Sequence, residues 1–278
     1  MHPVELIPSA GPHVYALLGD PVEHSKSARI QNAAFAACGL DLTYRAIRVT
    51  PQQLGPQLRV LAQAGGGGNV TVPHKQLAVA WIDHPSDAVC RTGAVNTFWR
   101  GPHGVHGDNT DVAGFRAAAA HHGVPLEHRR VLLLGAGGAA AAVLLALLQA
   151  DARVTIVNRS AERARALAGR FAPSLPVQCA TEPPLEPFDV VINATSLGMR
   201  PHDPLPLAVE RLPERAAILD LVYASGVTRW VRGARAAGFV AFDGAEMLLR
   251  QAAAAFTLWT DLPAPLEVMR AAALQPGP

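Results

Sequence analysis

The chain reads as an α/β protein of two domains, and three observations predict it. Short β-rich runs alternate with Ala/Leu-rich runs from end to end, the rhythm of parallel strands joined by helices. One continuous apolar run, Val131–Leu134, passes directly into glycines and then into a helix-like stretch, as a strand buried on both faces would. With 278 residues, half of them hydrophobic, the chain can build more than one core.

In the first part Val14–Leu18, Tyr44–Val49, Asn69–Val72 and Ala94–Trp99 read as strands, with a helix over Ala28–Cys38 between the first two. Gly65–Gly68 reads as a flexible turn leading into the third strand. The second part opens at Val131 with strand, glycine turn and a helix reaching Ala150. Strands follow at Val154–Val157, Asp189–Asn193, Ala217–Leu221 and Phe239–Phe242, with a helix over Ala161–Arg170 after the first of these. A longer helix, Ala245–Thr260, comes after the last strand.

Composition excludes several classes. The net charge is only +2 and no Lys/Arg run forms a patch, so no nucleic-acid and no membrane partner is expected. Cys38, Cys90 and Cys179 are odd in number and form no CxxC, and the histidines show no HExxH. Neither a disulfide framework nor a metal site is expected, and the cysteine usage suits a reducing compartment. The N-terminus lacks a basic region followed by an apolar run, so no signal peptide is expected and the chain is assigned to the cytoplasm.

Gly135, Gly137 and Ala140 fit G-x-G-x-x-A between strand and helix. Gly135 permits the tight turn, Gly137 lets backbone approach a pyrophosphate, and Ala140 allows close helix–strand packing. The helix N-terminus then offers N–H groups to phosphate. A bare glycine triplet can be an ordinary βα turn, but here both flanking elements are present. The next strand ends in Asn158-Arg159-Ser160 with Arg163 one turn on, and carries no Asp or Glu at its tip. An acid there would bind a ribose 2′-hydroxyl, whereas Arg159 and Arg163 can pair with a 2′-phosphate. The expected cofactor is therefore NADP.

Hydride transfer at a secondary alcohol needs a group that gives and takes the hydroxyl proton, and polar groups that hold the substrate. The first part carries candidates in four compact motifs: Gly19-Asp-Pro-Val-Glu-His-Ser25-Lys-Ser27, Asn69-Val-Thr71-Val-Pro-His-Lys75, Gly93-Ala-Val-Asn96-Thr97 and Gly107-Asp-Asn109-Thr110-Asp111. With GAGGA, INATSLGM, DLVY and Gly244-Ala-Glu-Met247-Leu-Leu-Arg-Gln251, these motifs in this order resemble the shikimate dehydrogenase family over nearly the whole chain.

The resemblance implies a small-molecule reaction, reduction of 3-dehydroshikimate to shikimate with NADPH in aromatic amino acid biosynthesis. It implies a substrate domain over 1–111, a Rossmann-type NADP domain over 112–243, and C-terminal helices over 244–278 packing back on the substrate domain, with the site in the cleft. By the same resemblance, Ser25, Ser27 and Tyr223 would bind the carboxylate, and Asn69, Thr71, Asn96 and Gln251 the ring hydroxyls. Lys75 would transfer the proton with Asp111 as its partner. Gly135, Ala136, Gly137, Gly138 and Ala139 would cradle the pyrophosphate, and Asn158, Arg159, Ser160 and Arg163 the 2′-phosphate. Thr195 to Met199, Leu221, Gly244 and Met247 would line the nicotinamide end, with Asp87 a further cofactor contact.

Two departures matter. Ala28 stands where the family often has Pro, which alters only a helix start. Gln31 stands where it often has His, a feature resembling the quinate/shikimate branch, which is less strict about substrate and cofactor. Ser25, Ser27 and Asn158-Arg159 resemble the biosynthetic branch instead. A non-catalytic NADP-binding module would be expected to have lost Lys75 or Asp111, and both are present. A homodimer is left open, since the sequence does not fix oligomeric state.

Overall fold

A computed structural model describes residues 14–171, 177–184, 186–200, 202–223 and 226–275; the N-terminal stretch inspected for a signal peptide lies outside them up to residue 13. The chain folds into two units, residues 1–110 with 252–278, and residues 111–251.

Unit 1 begins with β1 (Val14–Gly19), α1 (Ser27–Ala37), β2 (Thr43–Arg48), α2 (Pro51–Gln63) and β3 (Gly67–Val70). A short 3₁₀ turn, β4 (His84–Pro85), α3 (Asp87–Thr92), β5 (Thr97–Gly101) and β6 (Gly104–Asp108) follow. Unit 2 runs through α4 (Asp111–His121), β7 (Arg130–Leu134), α5 (Gly138–Leu148), β8 (Arg153–Val157), α6 (Ala161–Gly169) and β9 (Val177–Ala180). It continues with β10 (Val190–Asn193), β11 (Ala217–Asp220), α7 (Arg229–Ala236), β12 (Ala241–Phe242) and the first part of α8 (Ala245–Thr260). The rest of α8 and α9 (Leu266–Leu274) complete unit 1.

The unit boundary thus falls at residue 251, not at the 243 drawn from the sequence. Close packing explains the difference: a Cβ on Gly114 of α4 would lie 2.8 Å from the backbone nitrogen of Gln251, so the first half of α8 lies against α4.

The sheet of unit 1 has the order β2-β1-β3-β5-β6-β4 and is mixed, which corrects the expectation of parallel strands throughout. Its β1–β2 and β1–β3 pairs are parallel, but β3–β5 and β5–β6 are antiparallel. The cause is local. Only Pro102-His103 separates β5 from β6, and a connection that short can make only an antiparallel hairpin. The glycine run is also corrected, because Gly67 and Gly68 lie inside β3 rather than in a turn. A Cβ on Gly67 would sit 2.3 Å from the Phe98 carbonyl oxygen, and one on Gly68 2.0 Å from that of Ala16, so β3 has room for no side chain at either position.

The helix α2 starts with a capping box. Thr50 is the N-cap, Gln53 returns a hydrogen bond to its N–H (2.9 Å), and Pro51 occupies the first turn. Its Leu54, Leu58 and Leu61 pack with Leu18, Val70, Val95 and Phe98 in one core of the unit.

The sheet of unit 2, β12-β11-β10-β7-β8-β9, is parallel in every pair. From β7 the order runs outwards to β9 on one side and, starting again at β10, to β12 on the other. The strand order therefore reverses between β7 and β10, the place where open α/β sheets bind ligands beyond their C-terminal ends. Ala140–Leu148 of α5 are all buried, which its uniformly apolar sequence requires.

Candidate active site

In unit 1 the sheet topology gathers the polar motifs at one end. The C-terminal ends of the parallel strands β1 and β3 lie beside the start of β5 and the end of β6, because Asn69 pairs with Thr97 and Thr97 with Asp108. Ser25 follows β1 and sets its Oγ 3.2 Å from that of Ser27, the first residue of α1. Ser25 Oγ also accepts the Ser27 N–H (3.2 Å), and α1 opens with no side-chain cap at Lys26. Two hydroxyls at a helix start suit a carboxylate.

Thr71 and Lys75 occupy the loop that leaves β3. Its backbone is tied down by Thr71 N–H to Leu18 O (2.9 Å), His74 N–H to Thr71 O (2.9 Å) and Val95 N–H to Lys75 O (2.8 Å). The fully buried His74 ring anchors it further through Nε2 to Val49 O at 2.8 Å. Lys75 is half-buried. Asn69 and Asn96 are both buried. Asn69 Nδ2 donates to Asn96 O (3.0 Å) and Thr97 Oγ1 (2.7 Å), while Asn96 Nδ2 donates to Thr110 Oγ1 (2.9 Å) and its Oδ1 accepts Thr110 N–H (2.7 Å).

In unit 2 the glycine turn sits at the strand-order reversal. Gly135 has φ +112°, and a Cβ there would lie 2.8 Å from Ala194 O, so the turn needs glycine twice over. A Cβ on Gly137 would meet nothing within 4 Å, and Gly137 caps α5 without a side chain. The start of α5, Gly138-Ala139 after the half-exposed Ala136, therefore presents backbone N–H groups to open space, as a pyrophosphate cradle requires. At the end of β8, Asn158 Nδ2 closes a turn onto Ser160 O (2.9 Å), and Ser160 Oγ caps α6 by accepting Arg163 N–H (3.3 Å). Arg159 and Arg163 are exposed.

The Thr195 segment follows β10. Thr195 donates through N–H (3.0 Å) and Oγ1 (2.7 Å) to Asn193 Oδ1, and accepts Leu197 N–H (3.0 Å). Asn193 in turn donates to Asp220 Oδ1 at 2.8 Å. Leu221, Gly244 and Met247 line one pocket with Phe115, His122 and Asp243. A Cβ on Gly244 would come within 2.2 Å of Leu221 O, which makes glycine obligatory there.

Asp220, which the sequence reading quoted only within DLVY and gave no role, is 1% exposed and holds the segment together. It accepts Asn193 Nδ2, Val222 N–H (3.0 Å) and Thr228 Oγ1 (2.8 Å). Burial pushes its carboxyl up from the usual range, and the bonds from Thr228, Val222 and Asn193 pull it back. Asp220→Ala leaves those donors buried without an acceptor. The expected cost is about 2 kcal/mol or more of unit 2 stability, read as a lower urea midpoint. Tyr44 was also missed, and Thr97 was quoted in a motif without a role, since their partners are set by strand register.

Other expected residues stand elsewhere. Asp111 is buried at the start of α4, and Tyr223 and Gln251 also belong to unit 2. Gln251 Nε2 donates to Leu248 O (2.8 Å) on its own helix. Asp87 is exposed in the first turn of α3 in unit 1, 3.9 Å from Arg91. Gln31 is fully buried and donates to Ala252 O (2.9 Å), so it ties α1 to α8. Among the described residues no group of three or more His, Cys, Asp or Glu could hold a metal, and no helix is long and apolar enough to cross a membrane.

Three family models match the chain. They are a shikimate dehydrogenase substrate binding domain over residues 17–98, a shikimate/quinate 5-dehydrogenase over 117–199, and a shikimate 5′-dehydrogenase C-terminal domain over 244–274. The chain is 42% identical over 262 residues to a shikimate dehydrogenase (NADP(+)) of Methanothrix thermoacetophila, covering 93% of this chain and 96% of that one. Among solved structures it resembles shikimate dehydrogenase from Aquifex aeolicus, with TM-score 0.88, 30% identity and coverage of 95% and 98% of the two chains. It also resembles shikimate 5-dehydrogenase from Thermus thermophilus in complex with NADP(H) and shikimate, with TM-score 0.85, 38% identity and coverage of 94% and 98%.

Proposed function

The chain belongs to the shikimate dehydrogenase family, and from that premise we propose that it catalyses the reversible, NADPH-dependent reduction of 3-dehydroshikimate to shikimate. The observation that carries this reading is the assembly, at one sheet end of unit 1, of two serine hydroxyls, Lys75 and the buried amides of Asn69 and Asn96. That is the donor and acceptor set a hydroxylated ring acid needs.

The residues present also fit the cofactor. Gly135 to Ala139 would take the pyrophosphate, Arg159 and Arg163 the 2′-phosphate, and Thr195, Leu221, Gly244 and Met247 the nicotinamide end, with Asp87 as a further contact. When bound, NADPH supplies the hydride. Ser25 and Ser27, with Tyr223, hold the substrate carboxylate and so fix the ring. Asn69, Thr71, Asn96 and Gln251 read its hydroxyls. Lys75 delivers a proton from Nζ to the carbonyl oxygen as that oxygen becomes a hydroxyl, and Asp111 orients the amine; the reverse direction returns the proton to Lys75. We assign substrate binding chiefly to unit 1 and NADP binding to unit 2, and the protein to the cytoplasm.

The test is the initial rate with shikimate plus NADP against quinate plus NADP. Shikimate is expected to be the preferred substrate, and quinate turnover matching it would replace this reading with a quinate/shikimate dehydrogenase. Gln31 donates through Nε2 inside the core to Ala252 O, so that side of its amide is committed to the fold. Ser25→Ala is expected to raise KM for shikimate, by the roughly 1–3 kcal/mol of one lost charge-assisted hydrogen bond, with KM for NADP unchanged.

A further inference from the structure

Asn69 is held on three sides, and that fixes what it can offer a ligand. The atom 3.0 Å from the Asn96 carbonyl must be Nδ2, because a carbonyl oxygen only accepts. The second Nδ2 hydrogen goes to Thr97 Oγ1 at 2.7 Å. Both amide donors are therefore committed within the protein. The remaining atom is Oδ1, and it accepts the Tyr44 hydroxyl at 2.7 Å, which leaves one acceptor lone pair.

The Asn96 carbonyl sets which way the amide faces, and the two side chains that hold it there are themselves fixed. Tyr44 is 2% exposed and Thr97 fully buried. Asn32 of α1 clamps the Tyr44 backbone, donating to its carbonyl (2.9 Å) and accepting its N–H (2.8 Å). The Tyr44 ring lies 6.0 Å from that of Trp259. Thr97 is held in register opposite Asn69 on one side and Asp108 on the other.

We propose that Tyr44 and Thr97 are positioning residues for substrate recognition. With the Asn96 carbonyl they hold the Asn69 amide so that it offers the ligand one acceptor and no donor. This selects a ring hydroxyl at that position over a keto group or an ether, either of which would bring a second acceptor against Oδ1. The proposal rests on the reading of this sheet end as the shikimate site.

The test is steady-state kinetics with shikimate at saturating NADP for the wild type, Tyr44→Phe, Thr97→Val and Thr97→Ser. It is combined with binding of shikimate analogues that each lack one ring hydroxyl. Tyr44→Phe and Thr97→Val are expected to raise KM for shikimate about tenfold with KM for NADP unchanged. Thr97→Ser, which keeps the hydroxyl, is expected to restore the parent KM. The wild type is expected to lose about tenfold in affinity for one deoxy analogue, and Tyr44→Phe to lose less for that same analogue.

If the wild type turns over shikimate and Tyr44→Phe keeps its KM, the proposal falls and the activity stands. If both KM values rise together and Thr97→Ser restores neither, the role is structural and the proposal falls. If the wild type does not turn over shikimate, the activity reading falls and takes the proposal with it.

Discussion

Lys75→Ala is expected to lower kcat by about 10²–10⁴-fold, the usual contribution of a positioned proton donor, while the Kd for NADPH stays at its parent value. The fold supports this separation. Lys75 lies in unit 1 and the glycine turn lies in unit 2. The loop around Lys75 is held by its backbone bonds and by the buried His74 ring. Alanine removes the amine and leaves those backbone bonds and the His74 anchor in place. Lys75→Arg is expected not to rescue the rate, because a guanidinium keeps its proton at any working pH. Asp111→Asn is expected to slow turnover too, since it removes the charge proposed to orient the amine. Steady-state rates paired with NADPH titration check the set. A Lys75→Ala protein at full rate would sink the assignment of proton transfer.

The same residues show what could be read from sequence alone. The glycine turn was legible because its motif is contiguous between strand and helix and Gly135 takes φ +112°, although the backbone that crowds Gly135, at Ala194, comes from a distant strand end. The helix Ala245–Thr260 was legible to its ends from pattern alone. Unit 1 was harder. Its sheet is mixed, and the short turn that reverses it, Pro102-His103, is a local signal that was overshadowed by the βα rhythm of the chain. Gly67 and Gly68 look like a turn to any propensity argument, yet lie in β3 because the neighbouring strands approach too closely for a side chain. The helix α2 carried a readable capping box at Thr50 and Gln53.

The polar networks were illegible for a different reason. Tyr44 and Asn69 are 25 residues apart, and Asn193 and Asp220 are 27 apart. Each pair meets only because of strand order, which no motif encodes. The motifs brought out the candidate ligand-binding residues, while buried Tyr44, which belongs to no motif, went unread.

The double variant Arg159→Ala with Arg163→Ala is expected to cut the preference for NADP over NAD by about 10²–10⁴-fold, from two charge-assisted contacts of about 1.5–3 kcal/mol each. Arg159→Ala alone is expected to give about a tenfold narrowing. The geometry at the end of β8 is the reason these two side chains are expected to carry the discrimination. Asn158 and Ser160 spend their side chains on the turn and on the α6 cap. Arg159 and Arg163 remain exposed, and neither has a carboxylate partner among the described residues. Two cations thus stand at the start of a helix whose own dipole also favours an anion. NAD has nothing to give them, and no acid stands at the strand tip to bind its 2′-hydroxyl in compensation. Because both guanidinium groups face solvent, salt should weaken the preference in the parent protein and much less in the double variant. Measuring kcat/KM with NADP and with NAD, at low and high ionic strength, tests both parts. An unchanged ratio in the double variant would place the 2′-phosphate elsewhere, and a preference insensitive to salt would mean that shape, not charge, selects the cofactor.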